Sequence, residues 1–308
     1  MLPDTSLLTD LTPTLEQLVE RHLAASREWF PHEVVPWERA GPETRSREWD
    51  PERAPVPDAV RSALFVNLLT EDNLPYYFAT IDRMFGADGI WGEWARRWTA
   101  EEGRHSIAIR DYLTVTGMVD PVALERARMH QVSHGVVPVP PSPLDGLVYV
   151  ALQELATRIA HRATGKLLDD RAGYEVMARV GADENLHYLL YRDLVSAALE
   201  RDPSPVVEAI ERQVTDFEMP GTGIIGFDRH ALAIARAGIY DLVVHHEQIL
   251  VPVVLRHWDV EGLEGLSPAA EEARRRLVRR IERVGRAGRR LAERWAETAS
   301  SSAEAMPA

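Results

Sequence analysis

The pattern Glu-x-x-His occurs twice in this chain, and each copy follows a lone glutamate by a nearly constant interval. The two sets are Glu71, Glu102 and His105, and then Glu154, Glu184 and His187. The intervals from the lone glutamate to the motif are 102 − 71 = 31 and 184 − 154 = 30 residues. Because residues i and i+3 share one face of an α-helix, each motif presents a carboxylate and an imidazole side by side.

Two such pairs with two further carboxylates form the ligand set of a dinuclear iron or manganese site inside a four-helix bundle. The pattern therefore predicts an all-α, ferritin-like four-helix bundle with additional flanking helices. The four core helices are expected at residues 59–85, 89–116, 145–167 and 170–199. Flanking helices are expected at residues 14–30, 228–258 and 268–296.

The segments between these helices support one continuous domain. The proline-rich segment 120–145 predicts the long crossover of a ferritin-like bundle. Pro75 lies four residues after Glu71, and its missing N–H predicts a kink beside a ligand. We expect a single domain over residues 1–308, with an ordered helical core at 15–296 and a flexible tail at 297–308.

Composition excludes several functions. The chain has 308 residues and a net charge of −13, which argues against nucleic-acid binding. Cysteine is absent, which excludes disulfides, thiolate zinc sites and a cysteine nucleophile. The first ten residues carry no secretory signal pattern, and no apolar run is long enough for a membrane span. We therefore expect a cytoplasmic protein.

Other polar residues have simpler interpretations. A single Glu-x-x-His on a helix usually belongs to a solvated face, but here two copies at nearly equal spacing lie on otherwise apolar stripes, which argues against that interpretation. His161 could contact the ligands, but we favour a satisfied core histidine, and we take His245 and His246 as structural. The arginine-rich stretch 274–294 is either a solvated final helix or a docking surface for an acidic partner.

Around these residues the chain resembles the soluble acyl-[acyl-carrier-protein] desaturases. The resemblance covers roughly residues 15–295. It is carried by the segments 70–76 (TEDNLPY), 98–105 (WTAEEGRH), 153–157 (QELAT), 182–187 (ADENLH) and 258–267 (WDVEGLEGLS). Ferritins and ribonucleotide reductase small subunits share the pattern of ligand residues but not these surrounding sequences.

The resemblance implies a role for each ligand. Glu71 and Glu154 match terminal carboxylate ligands, Glu102 and Glu184 match bridging carboxylates, and His105 and His187 match the imidazole ligands. Thr157 matches a threonine implicated in oxygen activation. Asp183 and Trp49 resemble an outer carboxylate and a tryptophan on a proposed electron route to a metal-bound histidine.

Gly103 departs from the family, in which asparagine is frequent at this position. Glycine inside a helix is unfavourable, so its presence suggests a need for space or flexibility.

The implied reaction inserts a cis double bond into a saturated acyl chain carried on acyl-carrier protein. Its implied requirements are two Fe ions, O2 as co-substrate, ferredoxin or a similar electron donor, and a homodimer. For carrier docking we predict Arg275, Arg279 and Arg283, which share one helical face. Two alternatives stay open, a di-iron oxygenase that hydroxylates a carrier-tethered substrate and a ferroxidase or iron-binding bundle.

Overall fold

The computed structural model describes residues 5–304, and these form helices joined by turns and loops, with no strand among them. The α-helices are α1 (Thr5–Ala25), α2 (Pro31–Val34), α3 (Asp58–Glu71), α4 (Leu74–Phe85), α5 (Gly89–Thr116), α6 (Pro121–His134), α7 (Pro143–Leu167), α8 (Arg171–Arg201), α9 (Pro203–Thr215), α10 (Phe227–Arg236), α11 (Leu242–His245) and α12 (Pro268–Glu304). A π-helical segment, His246–His257, continues α11. The all-α prediction is confirmed.

Four helices enclose the core in a closed arrangement. Helix α3 contacts α5 and α7, and α8 contacts the same two helices. The crossover between α5 and α7 contains α6 and the proline-rich linker, as the sequence predicted. Helix α1 packs against α5 and α8, and α12 packs against α9. The architecture is a ferritin-like four-helix bundle with flanking helices.

The predicted helix 59–85 is interrupted rather than kinked. Helix α3 ends at Glu71, and α4 begins at Leu74 with Pro75 in its first turn. Proline is well tolerated there, because the N–H groups of a first turn have no partner within the helix. Two side chains hold the interruption to the crossover, since Asp72 pairs with Arg128 of α6 and Asn73 donates to the Val136 carbonyl. The chain therefore turns directly beside Glu71.

The flanking helices differ from the predicted bounds. Helix α1 starts at Thr5 and ends at Ala25, so residues 26–30 form an extended connection instead of its last turns. The predicted helix 228–258 divides after α10, near Gly238, which has a left-handed φ of 68°. The predicted flexible tail, 297–308, overlaps the end of α12. Its flexibility stays a prediction, and residues 305–308 lie outside the described residues.

None of the helices between residues 5 and 304 carries the long apolar stretch that crossing a lipid bilayer requires.

Candidate metal centre

The structure brings the six predicted ligand residues into one buried cluster made of two overlapping groups. One group is Glu71, Glu102, His105 and Glu184. The other is Glu102, Glu154, Glu184 and His187. In each group the ligand-capable atoms lie within 4.8 Å of one another. Glu102 and Glu184 belong to both groups, as expected of two carboxylates that bridge a pair of ions.

The helices fix these positions. Helix α5 supplies Glu102 and His105, and α8 supplies Glu184 and His187, in each case one helical turn apart. Glu154 lies within α7 and is fully buried, and the indole of Trp98 donates to its Oε1 at 3.0 Å. Glu71, in contrast, is the last residue of α3. One terminal carboxylate is therefore held inside a continuous helix, and the other lies at a helix end.

Both histidines direct Nδ1 into the cluster. His105 Nδ1 lies 3.3 Å from Glu102 Oε2, and His187 Nδ1 lies 2.8 Å from Glu102 Oε1. The opposite nitrogen, Nε2, faces an outer carboxylate, Asp183 at 3.2 Å for His105 and Glu101 at 2.9 Å for His187. Because an ionised carboxylate only accepts hydrogen bonds, Nε2 keeps its proton, and Nδ1 is the nitrogen that would bind a metal in place of a second proton.

The two outer carboxylates occupy equivalent sequence positions, each one residue before a shared glutamate. Asp183 precedes Glu184, and Glu101 precedes Glu102. Sequence reasoning identified Asp183 through the resemblance and missed Glu101. The repeat itself held the signal, because an acidic residue stands at the same place in both motifs.

The tryptophan beside Asp183 is Trp29, and the expectation for Trp49 was wrong. Trp29 Nε1 donates to Asp183 Oδ2 at 3.0 Å, and its ring is nearly parallel to that of His105. The indole of Trp49 donates instead to the carbonyl of Gly117, just after α5. Trp29 reaches Asp183 because α1 ends early and residues 26–30 extend across α5 and α8.

Two further side chains contact the cluster. Thr157 Oγ1 lies 3.0 Å from Glu184 Oε2 and 3.0 Å from the carbonyl of Glu154, so its single proton can be donated to either oxygen. His161 is buried and lies 3.0 Å from Glu71 Oε1. His161 is therefore a neighbour of the cluster, and the interpretation as an ordinary core histidine was wrong.

Gly103 makes no close approach that requires glycine. A Cβ added there would have Leu74 Cδ2 as its nearest neighbour at 3.8 Å, an ordinary contact. The expected need for space at this position is not supported.

The electrostatics favour bound cations. Burial raises the pKa of both Glu71 and Glu154. Burial alone would lower the pKa of His105 and His187, but the surrounding carboxylates raise both well above the usual range. Two dications would neutralise the four carboxylates and remove this crowding of like charges.

Unpaired atoms point to the same fit. Within the described part of the chain, four buried atoms of the cluster make no hydrogen bond of suitable geometry, although two of them, His187 Nδ1 and Glu102 Oε1, are only 2.8 Å apart: Glu102 Oε1, His105 Nδ1, Glu154 Oε2 and His187 Nδ1. Buried polar atoms are normally satisfied, and coordination to a metal is one way to satisfy them. The residues present therefore fit a pair of metal ions.

A small cavity adjoins the cluster. It has a volume of about 20 Å³ and is lined by Glu71, Leu74, Tyr77, Thr157 and other residues of the bundle. This volume is about that of one water molecule. The hydroxyl of Tyr77 is buried there without a partner among the described residues. The cavity is thus the open side of an otherwise packed site.

The predicted docking arginines lie elsewhere, on α12. Arg275, Arg279 and Arg283 are exposed and form no ion pair among residues 5–304. Neighbouring arginines on the same helix, such as Arg276 and Arg286, are paired with glutamates. The three unpaired side chains leave positive charge available on one face.

The chain is similar to known proteins of one family. Residues 4–306 match the family model described as fatty acid desaturase. The chain is 39% identical over 287 residues to a Mycobacterium tuberculosis protein, DesA1, whose name describes an acyl-[acyl-carrier-protein] desaturase, with 90% of this chain and 85% of that protein covered. Rice acyl-[acyl-carrier-protein] desaturase 6, chloroplastic, is 33% identical, with 87% of this chain and 70% of the rice protein covered.

A solved structure is also similar. The X-ray structure of DesA2 from Mycobacterium tuberculosis H37Rv, named for the same activity, superposes with a TM-score of 0.69 at 26% identity. The match covers 87% of this chain and 99% of that chain.

Proposed function

This chain belongs to the fatty acid desaturase family, and we propose that it inserts a cis double bond into an acyl chain carried on acyl-carrier protein, using two iron ions and O2. The observation that carries the proposal is the pair of overlapping ligand groups that share Glu102 and Glu184. The carrier-bound acyl substrate is proposed because the names of the relatives describe acyl-[acyl-carrier-protein] desaturases.

Each ligand has a role in this proposal. Glu102 and Glu184, which belong to both groups, would be shared by the two ions, Glu71 and His105 would complete one position, and Glu154 and His187 would complete the other. The two iron ions, when bound, supply the redox chemistry that activates O2. The surrounding helices fix the ligand geometry and exclude water from the site.

The reaction removes two hydrogen atoms from adjacent methylene carbons. Reduction of O2 to two water molecules takes four electrons and four protons. The substrate supplies two of each as its two hydrogen atoms, an external donor such as ferredoxin supplies two electrons, and solvent supplies two protons. The chain Trp29–Asp183–His105 connects one ligand to the outer layer of the bundle, so we assign to Trp29 the electron route that the resemblance implied for Trp49. Thr157 Oγ1 holds a proton within reach of the open side of the site.

Substrate binding requires side chains to move. The cavity of about 20 Å³ beside the cluster is too small for several methylene groups. Leu74 and Tyr77 line it from α4, the helix that starts after the interruption beside Glu71. We propose that these side chains shift to admit the acyl chain.

Mass spectrometry of the acyl-carrier products tests the function. Purified enzyme is incubated with acyl-carrier protein, reductant and O2. A product lacking two hydrogens supports the desaturase, and a product with one added oxygen atom supports the hydroxylating alternative instead. Iron oxidation with an unchanged acyl chain would point to a ferroxidase.

For the carrier we propose docking on the α12 face that contains Arg275, Arg279 and Arg283. This chain has a net charge of −13 and carrier proteins of this type are acidic, so attraction has to be local. Charge reversal at all three positions should raise the apparent KM for carrier-bound substrate, most strongly at low salt, without changing the iron content.

A matched triple reversal at Arg83, Arg126 and Arg236, which are exposed on other helices, changes the net charge equally. An effect of the same size in this control would place docking outside the α12 face. The cytoplasmic location and the homodimer also remain part of this proposal, and sedimentation equilibrium tests the dimer.

A further inference from the structure

Glu101 of α5 connects the metal cluster to helix α1. Its Oε2 accepts from His187 Nε2 at 2.9 Å and from His22 Nε2 at 3.0 Å. Its other oxygen, Oε1, accepts from the guanidinium of Arg97 at 2.6 Å. One carboxylate oxygen is therefore shared between a ligand histidine and a histidine from a different helix.

His22 and Glu101 are both buried, at 4% exposure each. A buried carboxylate is costly unless it is paired and hydrogen-bonded. Burial alone would raise the pKa of Glu101, but the bonds from His187 and His22 lower it far below the usual range. The Glu101 carboxylate is thus an ionised acceptor that fixes the Nε2–H groups of both His187 and His22.

Ring packing reinforces the hydrogen bonds. The His22 ring stacks on the His187 ring with centroids 5.7 Å apart and an angle of 14° between the planes. The ring of Trp94 meets His22 edge-on at 4.9 Å. His22 therefore restrains His187 both through Glu101 and by direct contact.

We propose that His22 is a positioning residue for the metal position completed by His187. Acting through Glu101, it fixes the tautomer and the ring orientation that direct His187 Nδ1 toward Glu102 and Glu154. This inference rests on the proposed function, because it concerns the same pair of ions.

Arg97 also bonds Glu101 but contributes less to the positioning of His187. Its side chain is 44% exposed, and it bonds the oxygen of Glu101 that faces away from His187. Exposed ion pairs contribute little, because solvent screens them. Loss of His22, in contrast, leaves Oε2 with a single partner and removes the stacked ring.

Anaerobic Fe²⁺ titration of His22 variants tests the proposal. In the unaltered protein we expect two ions per chain. In His22→Phe we expect one ion to bind as before and the other to bind about 10- to 100-fold more weakly, the usual effect of losing an outer partner of a ligand. Combining His22→Phe with Asp183→Asn should weaken both ions.

Two controls separate positioning from packing. Leu18→Ala removes a buried side chain from α1, one turn before His22, and should leave both ions bound. His22→Gln places an amide N–H near the position of Nε2, whereas the shorter His22→Asn does not reach it. Gln should restore the second ion and Asn should not, a difference that remains readable if His22→Phe fails to fold.

Equal titrations for His22→Gln, His22→Asn and the unaltered protein would overturn the proposal, as would a loss in Leu18→Ala equal to that in His22→Phe. These outcomes leave the proposed function intact. An unaltered protein that binds no pair of ions overturns the proposed function itself, together with the inference that rests on it.

Discussion

The His105 half and the His187 half of the cluster begin with the same hydrogen bond, from Nε2 to an outer carboxylate, and differ beyond it. Asp183 in the first half accepts from the indole of Trp29. Glu101 in the second half accepts from an imidazole on α1. In both halves the outer ring also stacks on the ligand histidine.

The comparison separates what the repeat dictates from what the surrounding fold adds. The ligands and outer carboxylates repeat in the sequence, so both halves have them. The outer rings come from a single segment of eight residues, His22 to Trp29, which has no counterpart in the repeat. An indole only donates, whereas an imidazole can also accept or become charged. The halves are therefore alike as ligand sets and chemically different at their outer ends.

The largest effect should come from a ligand that both halves share. Glu102→Ala removes a carboxylate common to both groups, so we expect less than one ion per chain, measured by anaerobic iron titration. Glu93→Ala on the exposed side of α5 is the matched control and should bind two. Retention of two ions in Glu102→Ala would exclude a bridging role.

A change to one outer carboxylate should weaken the binding of only the ion in its own half of the cluster. Asp183→Asn should weaken one ion by about 10- to 100-fold, and Glu101→Gln should weaken the other, because each amide no longer fixes its histidine as an anion does. Mössbauer spectra at one equivalent of iron distinguish the two positions. If both variants affect the same position, the division into halves is wrong.

The residue three positions after each lone glutamate also distinguishes the halves. Thr157 follows Glu154 and Leu74 follows Glu71, and both line the small cavity. Thr157→Val should retain both ions and slow turnover on the order of 100-fold, the lower range for a positioned proton donor. Thr164→Val is the control, since that hydroxyl bonds only a carbonyl of its own helix. Equal turnover in the two variants would reduce Thr157 to a packing residue.

A buried histidine outside the cluster provides a reference without a carboxylate partner. His245 Nδ1 is hydrogen-bonded to the hydroxyl of Tyr240 at 2.8 Å, and burial, with a contribution from His246, lowers the pKa of His245 to about 4. Because the folded pKa lies below the unfolded value of about 6.5, this group favours folding above that value. The contribution is lost as the pH falls from about 6.5 to 4.

Between pH 7 and pH 5 the loss should be on the order of 2 kcal/mol in the free energy of unfolding. His245→Asn keeps a hydrogen-bond partner for Tyr240 but does not titrate, so it should flatten this part of the pH profile in urea titrations. An unchanged profile would show that His245 does not titrate on unfolding in this range.

The smallest effect concerns the residues that follow the shared glutamates, Gly103 after Glu102 and Asn185 after Glu184. Gly103→Ala should raise the free energy of unfolding by up to about 1 kcal/mol, because alanine favours the helix and the added Cβ meets no close neighbour. Thermal unfolding of the iron-free protein measures it. A decrease would mean that this half does require glycine.

Helix geometry explains how much of this site the sequence could predict. The spacing of Glu102 and His105 places both on one face wherever the helix packs, so the six clustered side chains were predictable. Trp29 and His22 were not, because their partners lie 154 and 79 residues away in sequence and meet them only through the packing of α1. The Trp49 error has the same cause. The loop sequence does not indicate which tryptophan the chain brings to Asp183.

The interruption between α3 and α4 has a kinetic consequence. Glu71 lies at a helix end, and the side chains of the two residues after it bond Arg128 and the Val136 carbonyl. Glu154, by comparison, lies inside an unbroken helix. Opening the interruption requires few contacts to break, so amide hydrogens at residues 72–74 should exchange with solvent sooner than those around Glu154. The same opening would expose a terminal ligand to water, so iron uptake by the empty protein should proceed at the rate of this local opening.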